Sequence, residues 1–356
     1  VLALGLLVCL CLPVRDARLP ASLALSALGC ILVAQAVTLG SLLASLAMIL
    51  VGNGLAAAHA TDNDGRPAVA RWLAAACLGW ALVAFGGTLW CGLTGSLDLV
   101  AGPASLADRP VLPSTALPLI LSLVGVGLGL VLLGEPGRFR RDEQPVIPPV
   151  LTGWLTLVPL AGLVPMLQRV LAGVDPIPAR PLVPVPGVVV LLAGLLTVLG
   201  ILSALSPGRL ERRLSWAASG LAGLALLSLA GTSPETRHLA LGLVLAAAPA
   251  HVAALALVDP AVGRSWRRTR LLLLIGLLVA LAALPPLAGW RPRLDLLAFF
   301  LETDQYRALG LAAAGTLLGA LAYLPPAVTG WRDAGTGERT AAGATSRWAL
   351  LLGAVV

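Results

Sequence analysis

Long uninterrupted apolar runs dominate the chain, and short loops that carry arginine separate them. Runs of roughly 20 apolar residues cross a bilayer as helices, whereas barrel strands alternate polar and apolar positions. The pattern predicts an all-α polytopic membrane protein with about 12 transmembrane helices. Truncated spans are predicted at 1–13 and 348–356. The full-length spans are predicted at 21–38, 41–58, 68–93, 112–133, 150–168, 183–205, 214–231, 239–258, 271–289 and 308–330.

The distribution of arginine supports this division. Residues 21–58 contain no charge and are too long for one crossing, so we divide them near Thr38-Leu39-Gly40. Loops on the cytoplasmic side of a membrane protein carry an excess of basic residues. With the division, alternate loops hold most of the 24 basic residues, beginning with the loop at Arg15 and Arg18. The alternation extends along the whole chain and favours the twelve-span topology.

Composition excludes a soluble protein. Apolar residues make up 58% of the chain and charged residues 12%, about half the share in soluble domains. The net charge of +7 does not indicate nucleic-acid binding, because the basic residues are scattered over loops. All of them are Arg, which effectively cannot lose its proton in a protein. No neutralisable ammonium group is therefore available within the membrane.

Two regions predict helices that break inside the membrane. Residues 271–304 are too long for one helix and contain Leu284-Pro285-Pro286, where two backbone donors are missing. Residues 125–150 combine a glycine-rich helix end with the sequence Gly134-Glu135-Pro136-Gly137. Broken helices at matching places in two halves are typical of transporters built as inverted repeats.

Three segments resemble one known family, in order and spacing. Arg71 to Leu99, which ends in TGSLDL, closely resembles the sixth helix and following loop of the subunit N (subunit 2) antiporter-like protein of respiratory complex I. Ala204 to Ser215 (ALSPGRLERRLS) and Leu281 to Leu294 (LAALPPLAGWRPRL) are similar to later segments of that family. The resemblance covers about residues 40–330.

The resemblance implies two inverted five-helix repeats, each with a broken helix. We expect a partial N-terminal helix and loop at 1–20 and a first repeat at 21–172. The second repeat is expected at 183–330, with a loop and partial C-terminal helix at 331–356.

The family's polar axis is largely missing. Carried over by the resemblance, the Glu slot of helix five falls on Leu46, and the Lys slot of helix seven falls on Gly129 (or Leu130 with a shift of one). The Lys slot of helix eight falls on Leu160, and a charge remains only at the helix-twelve slot, Arg293. Titratable groups inside a membrane are costly and are kept for tasks such as proton relay. The chain is thus identified as a degenerate member.

Two residues are candidates for remaining activity. Arg293 is either a remnant of the conduction axis or a cap of the broken helix that pairs with Asp295 or Glu302, and we favour the second interpretation. His251 lies at helical mid-depth and is either a proton relay or a neutral histidine bonded to a neighbouring helix, again with the second favoured.

Two basic clusters are predicted on the cytoplasmic side. Such clusters usually set topology and contact anionic lipids, and docking of an acidic partner is the alternative. They comprise Arg209, Arg212 and Arg213, and Arg264, Arg267, Arg268 and Arg270.

The sequence therefore predicts an antiporter-like membrane-arm subunit of a complex-I-type NADH:quinone oxidoreductase in a bacterial cytoplasmic (inner) membrane. Its expected partners are other membrane-arm subunits and lipids, and no nucleic acid. We expect no cofactor, metal or independent active site in this chain, while the resemblance implies FMN, iron–sulfur clusters and quinone in the holoenzyme. Two alternatives stay open: an active proton/cation antiporter subunit of an Mrp-type or membrane-bound hydrogenase complex, and a purely structural scaffold.

Overall fold

The computed structural model describes residues 18–61, 63–102, 116–133, 149–174, 185–205, 210–230, 234–258, 267–284 and 289–334. The described parts are almost entirely helical, which confirms the all-α class. The helices are α1 (Arg18–Gln35), α2 (Leu39–His59), α3 (Arg66–Thr94), α4 (Ala116–Leu133), α5 (Pro149–Val174), α6 (Val185–Leu205), α7 (Leu210–Leu227), α8 (Pro234–Val258), α9 (Arg267–Leu281), α10 (Trp290–Glu302) and α11 (Tyr306–Ala334).

The chain is a multi-pass membrane protein. Within the described ranges, five helices are long and apolar enough to cross a membrane by length and composition: α1, α2, α3, and the stretches His238–Val258 of α8 and Tyr306–Leu324 of α11. The terminal spans predicted at 1–13 and 348–356 lie outside the described residues, so the count of twelve stays a prediction.

The long charge-free run divides at Thr38, as predicted. The Thr38 hydroxyl accepts a hydrogen bond from the Ser41 amide (3.2 Å), and the Ser41 hydroxyl accepts one from the Thr38 amide (3.1 Å). This reciprocal capping box satisfies donors that the first turn of a helix leaves free. The helix start is therefore fixed by two side chains that the apolar pattern alone does not single out.

The TGSLDL segment forms a turn that closes α3. Gly95 adopts the left-handed conformation (φ 73°) that side chains disfavour, and its amide donates to the Cys91 carbonyl (2.7 Å). One carboxylate oxygen of Asp98 accepts from the amides of Val100 and Ala101, both at 2.8 Å. The turn needs a glycine and an aspartate at these places.

The same turn pairs with the junction between α1 and α2. The Leu39 amide donates to the Leu97 carbonyl (2.9 Å), and the Leu99 amide donates to the Val37 carbonyl (2.8 Å). These bonds form an isolated antiparallel bridge between Thr38 and Asp98. The motif that carries the family resemblance thus joins three helix ends.

The crossing near residue 285 is broken, as predicted. Helix α9 ends at Leu281, Ala283 adopts the left-handed region (φ 55°), and α10 begins only at Trp290. For the other predicted break, α4 ends at Leu133 and α5 begins at Pro149. Residues 134–148 lie outside the described residues, so that break stays a prediction.

The same neighbours recur in the two halves. Helix α1 packs along α2 and α6 along α7, while α2 contacts α3 as α7 contacts α8. The last helix of each half returns to the first, α5 onto α1 and α11 onto α6. The halves meet where α5 contacts α7 and α8 and where α4 contacts α6. The predicted five crossings in each half would make the second half start on the opposite side of the membrane.

Glycines at equivalent positions set the closest contacts. A Cβ on Gly52 would lie 2.6 Å from the Ser26 amide nitrogen and 2.8 Å from the Ser22 carbonyl oxygen. A shift of 171 residues turns these three residues into Gly223, Thr197 and Ala193, and a Cβ on Gly223 would overlap the corresponding backbone atoms. Glycine lets two membrane helices pack backbone to backbone. The correspondence supports an internal repeat.

Candidate functional site at the broken helix

His251 bonds across helices from the middle of α8. Its side chain is fully buried, and its Nε2 lies 3.1 Å from the Leu214 carbonyl oxygen on α7. Because a carbonyl only accepts, Nε2 carries the proton and donates. The Tyr323 hydroxyl on α11 lies 3.3 Å from the same nitrogen, with the two rings edge to face. Among the described residues Nδ1 has no partner.

Trp80 makes the corresponding bond in the first half. Its indole N–H donates to the Leu43 carbonyl at 3.1 Å. A shift of 171 residues carries Trp80 onto His251 and Leu43 onto Leu214. The indole of Trp80 and the imidazole of His251 therefore bond to equivalent carbonyls from equivalent positions on their helices. The favoured interpretation of His251, a neutral histidine bonded to a neighbouring helix, expects a bond such as the one to Leu214.

Arg293 lies buried in the first turn of α10. Only 5% of its surface is exposed, and Nη2 donates to the Leu281 carbonyl at the end of α9 (2.8 Å). Nη1 is buried and has no partner among the described residues. A helix N-terminus already presents partial positive charge, so helix stability does not explain a cation there.

The prediction that Arg293 pairs with Asp295 or Glu302 is wrong. Asp295 instead lies 3.8 Å from Arg291, and both side chains are largely exposed. Glu302 is also exposed, at the end of α10. Residues two apart on a helix point to different sides, whereas residues four apart are neighbours. Arg293 does cap the broken helix, through a carbonyl, but no ion pair joins it to an acid among the described residues.

Tyr323 is the member of this cluster that sequence reasoning missed. It is 3% exposed, and its hydroxyl lies 3.3 Å from His251 Nε2, although the two residues are 72 positions apart in the chain. The sequence gives only a weak indication of Tyr323, which is one of two tyrosines in the chain and lies within an apolar run.

The space beside Arg293 is small. A cavity of about 10 Å³ lies between α7, α8, α9 and α10, at Gly289, Pro292 and Arg293. That volume is at the lower limit for a single water molecule. The cluster can hold a fixed positive charge and hydrogen bonds, but this cavity has no room for an organic substrate.

The first half is apolar where the family carries charge. Leu46 on α2 and Leu160 on α5 are almost completely buried. Gly129 on α4 lines an apolar cavity of about 270 Å³ between α4, α5, α6 and the end of α7. Neither α2 nor α4 contains an Asp, Glu, Lys or Arg residue.

Several arginines bond to the carbonyls of helix ends. Arg213 donates to the Ala204 carbonyl near the end of α6 (2.9 Å), and Arg270 donates to the Leu257 carbonyl near the end of α8. Arg169 on α5 reaches the Ala34 and Ala36 carbonyls at the end of α1. Arg209 and Arg264 lie outside the described residues, as do the side chains of Arg267 and Arg268. For Arg213 and Arg270 the bonds indicate a structural task.

Cofactor ligands do not cluster in the described residues. No group of three His, Cys, Asp or Glu side chains there could hold a metal ion. The expectation that this chain carries no cofactor concerns the whole chain and stays a prediction.

The fold matches membrane subunits of three kinds of complex. A chain of the archaeal membrane-bound sulfane sulfur reductase has a TM-score of 0.75 at 17% identity, covering 94% of this chain and 71% of that one. A chain of Thermus thermophilus respiratory complex I has 0.75 at 21%, covering 99% and 80%. A chain of the Mrp complex from a Dietzia species has 0.69 at 17%, covering 90% and 61%. The fold is that of an antiporter-like membrane subunit.

A sequence relative gives the type within this class. NADH-quinone oxidoreductase subunit N from Syntrophotalea carbinolica is 30% identical in an alignment of 332 positions that covers 84% of this chain and 66% of the relative. The chain thus spans just under two thirds of that protein. No protein-family model matches. Fold and sequence similarity together support an antiporter-like membrane subunit of the complex I subunit N type.

Proposed function

We propose that this chain is an antiporter-like membrane-arm subunit of a complex-I-type NADH:quinone oxidoreductase. In this proposal it supplies a scaffold and a fixed electrostatic field, and its proton path is degenerate. The relationship to subunit N and the similar fold of the Thermus thermophilus complex I chain support the assignment.

The apolar residues at the three family slots of the first repeat carry the proposal. A proton path needs groups that bind and release protons, or water held by polar groups. Leu46, Gly129 and Leu160 offer neither, and the cavity at Gly129 is lined by aliphatic side chains and glycine. A path through the first repeat would have to cross this apolar region.

The second repeat keeps a charge that does not cycle. Arg293 remains protonated, so it cannot pass a proton on. A buried cation nevertheless disfavours protonation of titratable groups near it and attracts negative charge across a low-dielectric interface. Arg293 would in this way set the potential felt by groups of a neighbouring subunit.

The proposal includes a setting and an internal organisation. We place the repeats at 21–172 and 183–330, which the equivalent glycine contacts support. The partners would be other membrane-arm subunits and lipids, in a bacterial cytoplasmic membrane. FMN, iron–sulfur clusters and quinone would be bound by other subunits of the assembly.

Co-purification tests the assembly. The tagged chain should be isolated from its native membrane in mild detergent, and the co-purifying chains identified by mass spectrometry. We expect quinone-reducing and further antiporter-like subunits together with NADH-oxidising activity. Recovery of the chain with a cation-antiporter assembly and without redox subunits would contradict the proposal.

Arg293 variants test the electrostatic role. We expect Arg293→Leu to assemble but to lower proton transport per NADH oxidised, whereas Arg293→Lys keeps the charge and should retain transport. Arg291→Leu, which removes an exposed charge two residues away, is the matched control. Unchanged transport in Arg293→Leu would leave only the scaffold role.

An active proton/cation antiporter subunit is the second candidate. The similarity to a chain of the Mrp complex favours it. It requires titratable groups at mid-depth, and among the described residues His251 and Tyr323 are the only buried ones besides cysteine and Arg293. Ion exchange by the isolated chain separates the two candidates.

A further inference from the structure

Two consecutive prolines lie inside α11. Helix α11 continues through Pro325 and Pro326 to its end at Ala334. In a regular helix the amide of residue 326 donates to the carbonyl of residue 322, but proline has no N–H group. The Ala322 carbonyl therefore lacks its regular helical donor, and α11 is able to bend at Pro326. Membrane helices tolerate such prolines where neighbouring groups satisfy the freed carbonyls.

Arg213 of α7 supplies a donor to this carbonyl. Its Nη2 donates to the Ala322 carbonyl at 3.3 Å, and its Nε donates to the Ala204 carbonyl at 2.9 Å. Ala204 lies in the last turn of α6, where carbonyls also lack helical donors. One guanidinium thus serves two carbonyls that their own helices leave free, and it joins α6, α7 and α11.

The neighbours of these two residues meet at His251. Leu214, next to Arg213, accepts from His251 Nε2 through its carbonyl (3.1 Å). The hydroxyl of Tyr323, next to Ala322, lies 3.3 Å from the same nitrogen. His251, Tyr323 and Ala322 are all almost completely buried. The bond from Arg213 therefore fixes the separation of α7 and α11 at the level of the His251 ring.

We propose that Arg213 is a positioning residue that closes a hinge at Pro326 and thereby holds Tyr323 against His251. A guanidinium suits this task, because its donors form a rigid fork that reaches two acceptors and keeps its charge. Release of the Ala322 carbonyl would let α11 bend at Pro326 and draw Tyr323 away from the ring. The buried contact would then follow movements at the ends of α6 and α7. The proposal does not depend on which assembly contains the chain.

Histidine NMR of the full chain in lipid vesicles tests the proposal. The chain contains three histidines, and His59 and His238 are exposed whereas His251 is buried. With ¹⁵N-labelled histidine, Tyr323→Phe shows how far the His251 Nε2 resonance moves when the hydroxyl is missing. We expect Arg213→Met, which removes the donors and keeps an apolar side chain, to move that resonance to the same position.

Pro326→Ala is the variant that isolates the hinge. It restores the N–H group that the Ala322 carbonyl lacks, so Arg213 is no longer needed at this carbonyl. In the chain with both Arg213→Met and Pro326→Ala, the His251 resonance should return to its position in the unmodified chain. Pro325→Ala is the matched control, because its N–H group is placed for the Leu321 carbonyl instead. Combined with Arg213→Met, it should not restore the resonance.

Three results would overturn the proposal. The first is an unchanged His251 resonance in Arg213→Met. The others are equal recovery with Pro325→Ala and Pro326→Ala, and no recovery with either. If Arg213→Met does not accumulate in the membrane, the amounts of the two double variants are compared instead. Accumulation restored by Pro326→Ala and not by Pro325→Ala supports the hinge, and any other pattern contradicts it.

Discussion

The two halves of the molecule share a backbone frame and differ in what they place inside it. Trp80 and His251 occupy equivalent positions and hold equivalent carbonyls, those of Leu43 and Leu214. The first half has apolar residues at its family slots, Leu46, Gly129 and Leu160, whereas the second half buries Tyr323 and the charge of Arg293. The indole N–H of Trp80, which does not titrate, and the imidazole N–H of His251, which can, make the same bond between helices.

The comparison separates scaffold from polar content. The helix contacts at Gly52 and Gly223 depend on backbone shape and are the same in both halves. The polar groups depend on individual side chains, so a single substitution can remove one of them without disturbing the backbone contacts. A half of the molecule is thus able to lose its charges and still fold, because the closest contacts never involved them.

The largest effect is expected at the paired glycines. Gly52→Ala and Gly223→Ala each force a methyl group into backbone atoms of the facing helix. We expect each to lower the free energy of unfolding by about 3 kcal/mol, the upper end for overpacking. Thermal unfolding in detergent measures this. Gly276→Ala, in open space, should not destabilise, and a loss in only one half would break the equivalence of the frames.

The next effect concerns the buried charge. Arg293→Leu should leave the chain as stable as before or more stable, by about 1–4 kcal/mol, because an apolar side chain replaces a buried cation with no acidic partner among the described residues. Asp295→Ala should change stability by less than about 1 kcal/mol, since its pair is exposed. Denaturant titration of the reconstituted chain measures both. A loss of about 3–5 kcal/mol in Arg293→Leu would instead indicate a buried anion bound to it.

Smaller, matched effects are expected at the two rings. Trp80→Phe and His251→Phe each remove one hydrogen bond to a helix carbonyl, and such bonds contribute about 0.6 kcal/mol on average within membranes. His251→Gln keeps an N–H donor and should recover part of the loss. Thermal unfolding compares the three variants. A transport defect in His251→Phe without a counterpart in Trp80→Phe would show that the histidine does more than fasten helices.

No effect is expected in ion exchange. The chain alone, reconstituted in vesicles, should not exchange protons for Na⁺ or K⁺, because the first half lacks titratable groups at the family slots. A pH-sensitive dye inside the vesicles detects exchange after a cation pulse. Exchange that disappears in His251→Phe or Arg293→Leu would favour the antiporter candidate.

The sequence predicted the frame better than the site. Helices, the division at Thr38 and the break at Leu284-Pro285-Pro286 follow from apolar run length and backbone donors, which are local properties. The partner of Arg293 is the carbonyl of Leu281, and main-chain groups leave no mark in a sequence. The mistaken pairing with Asp295 was avoidable, because helix geometry brings Arg291 to that carboxylate.

The internal equivalence was beyond sequence reasoning for a different reason. Trp80 and His251 share neither size nor charge, and Ser26 and Thr197 take part through their backbone amides. Only the matching distances connect them. Tyr323 lies 72 positions after His251 in the chain, and apolar periodicity predicts no contacts at that separation.

The bridge between Thr38 and Asp98 has a mechanical consequence. It couples the end of α1, the start of α2 and the end of α3 through two main-chain hydrogen bonds, so these three ends form one rigid joint. A rocking motion of the first half would have to carry all three together. In the second half, α9 ends at Leu281, Ala283 adopts the left-handed region and α10 begins at Trp290. A motion of α10 relative to α9 would therefore not have to carry the three bridged helix ends of the first half with it.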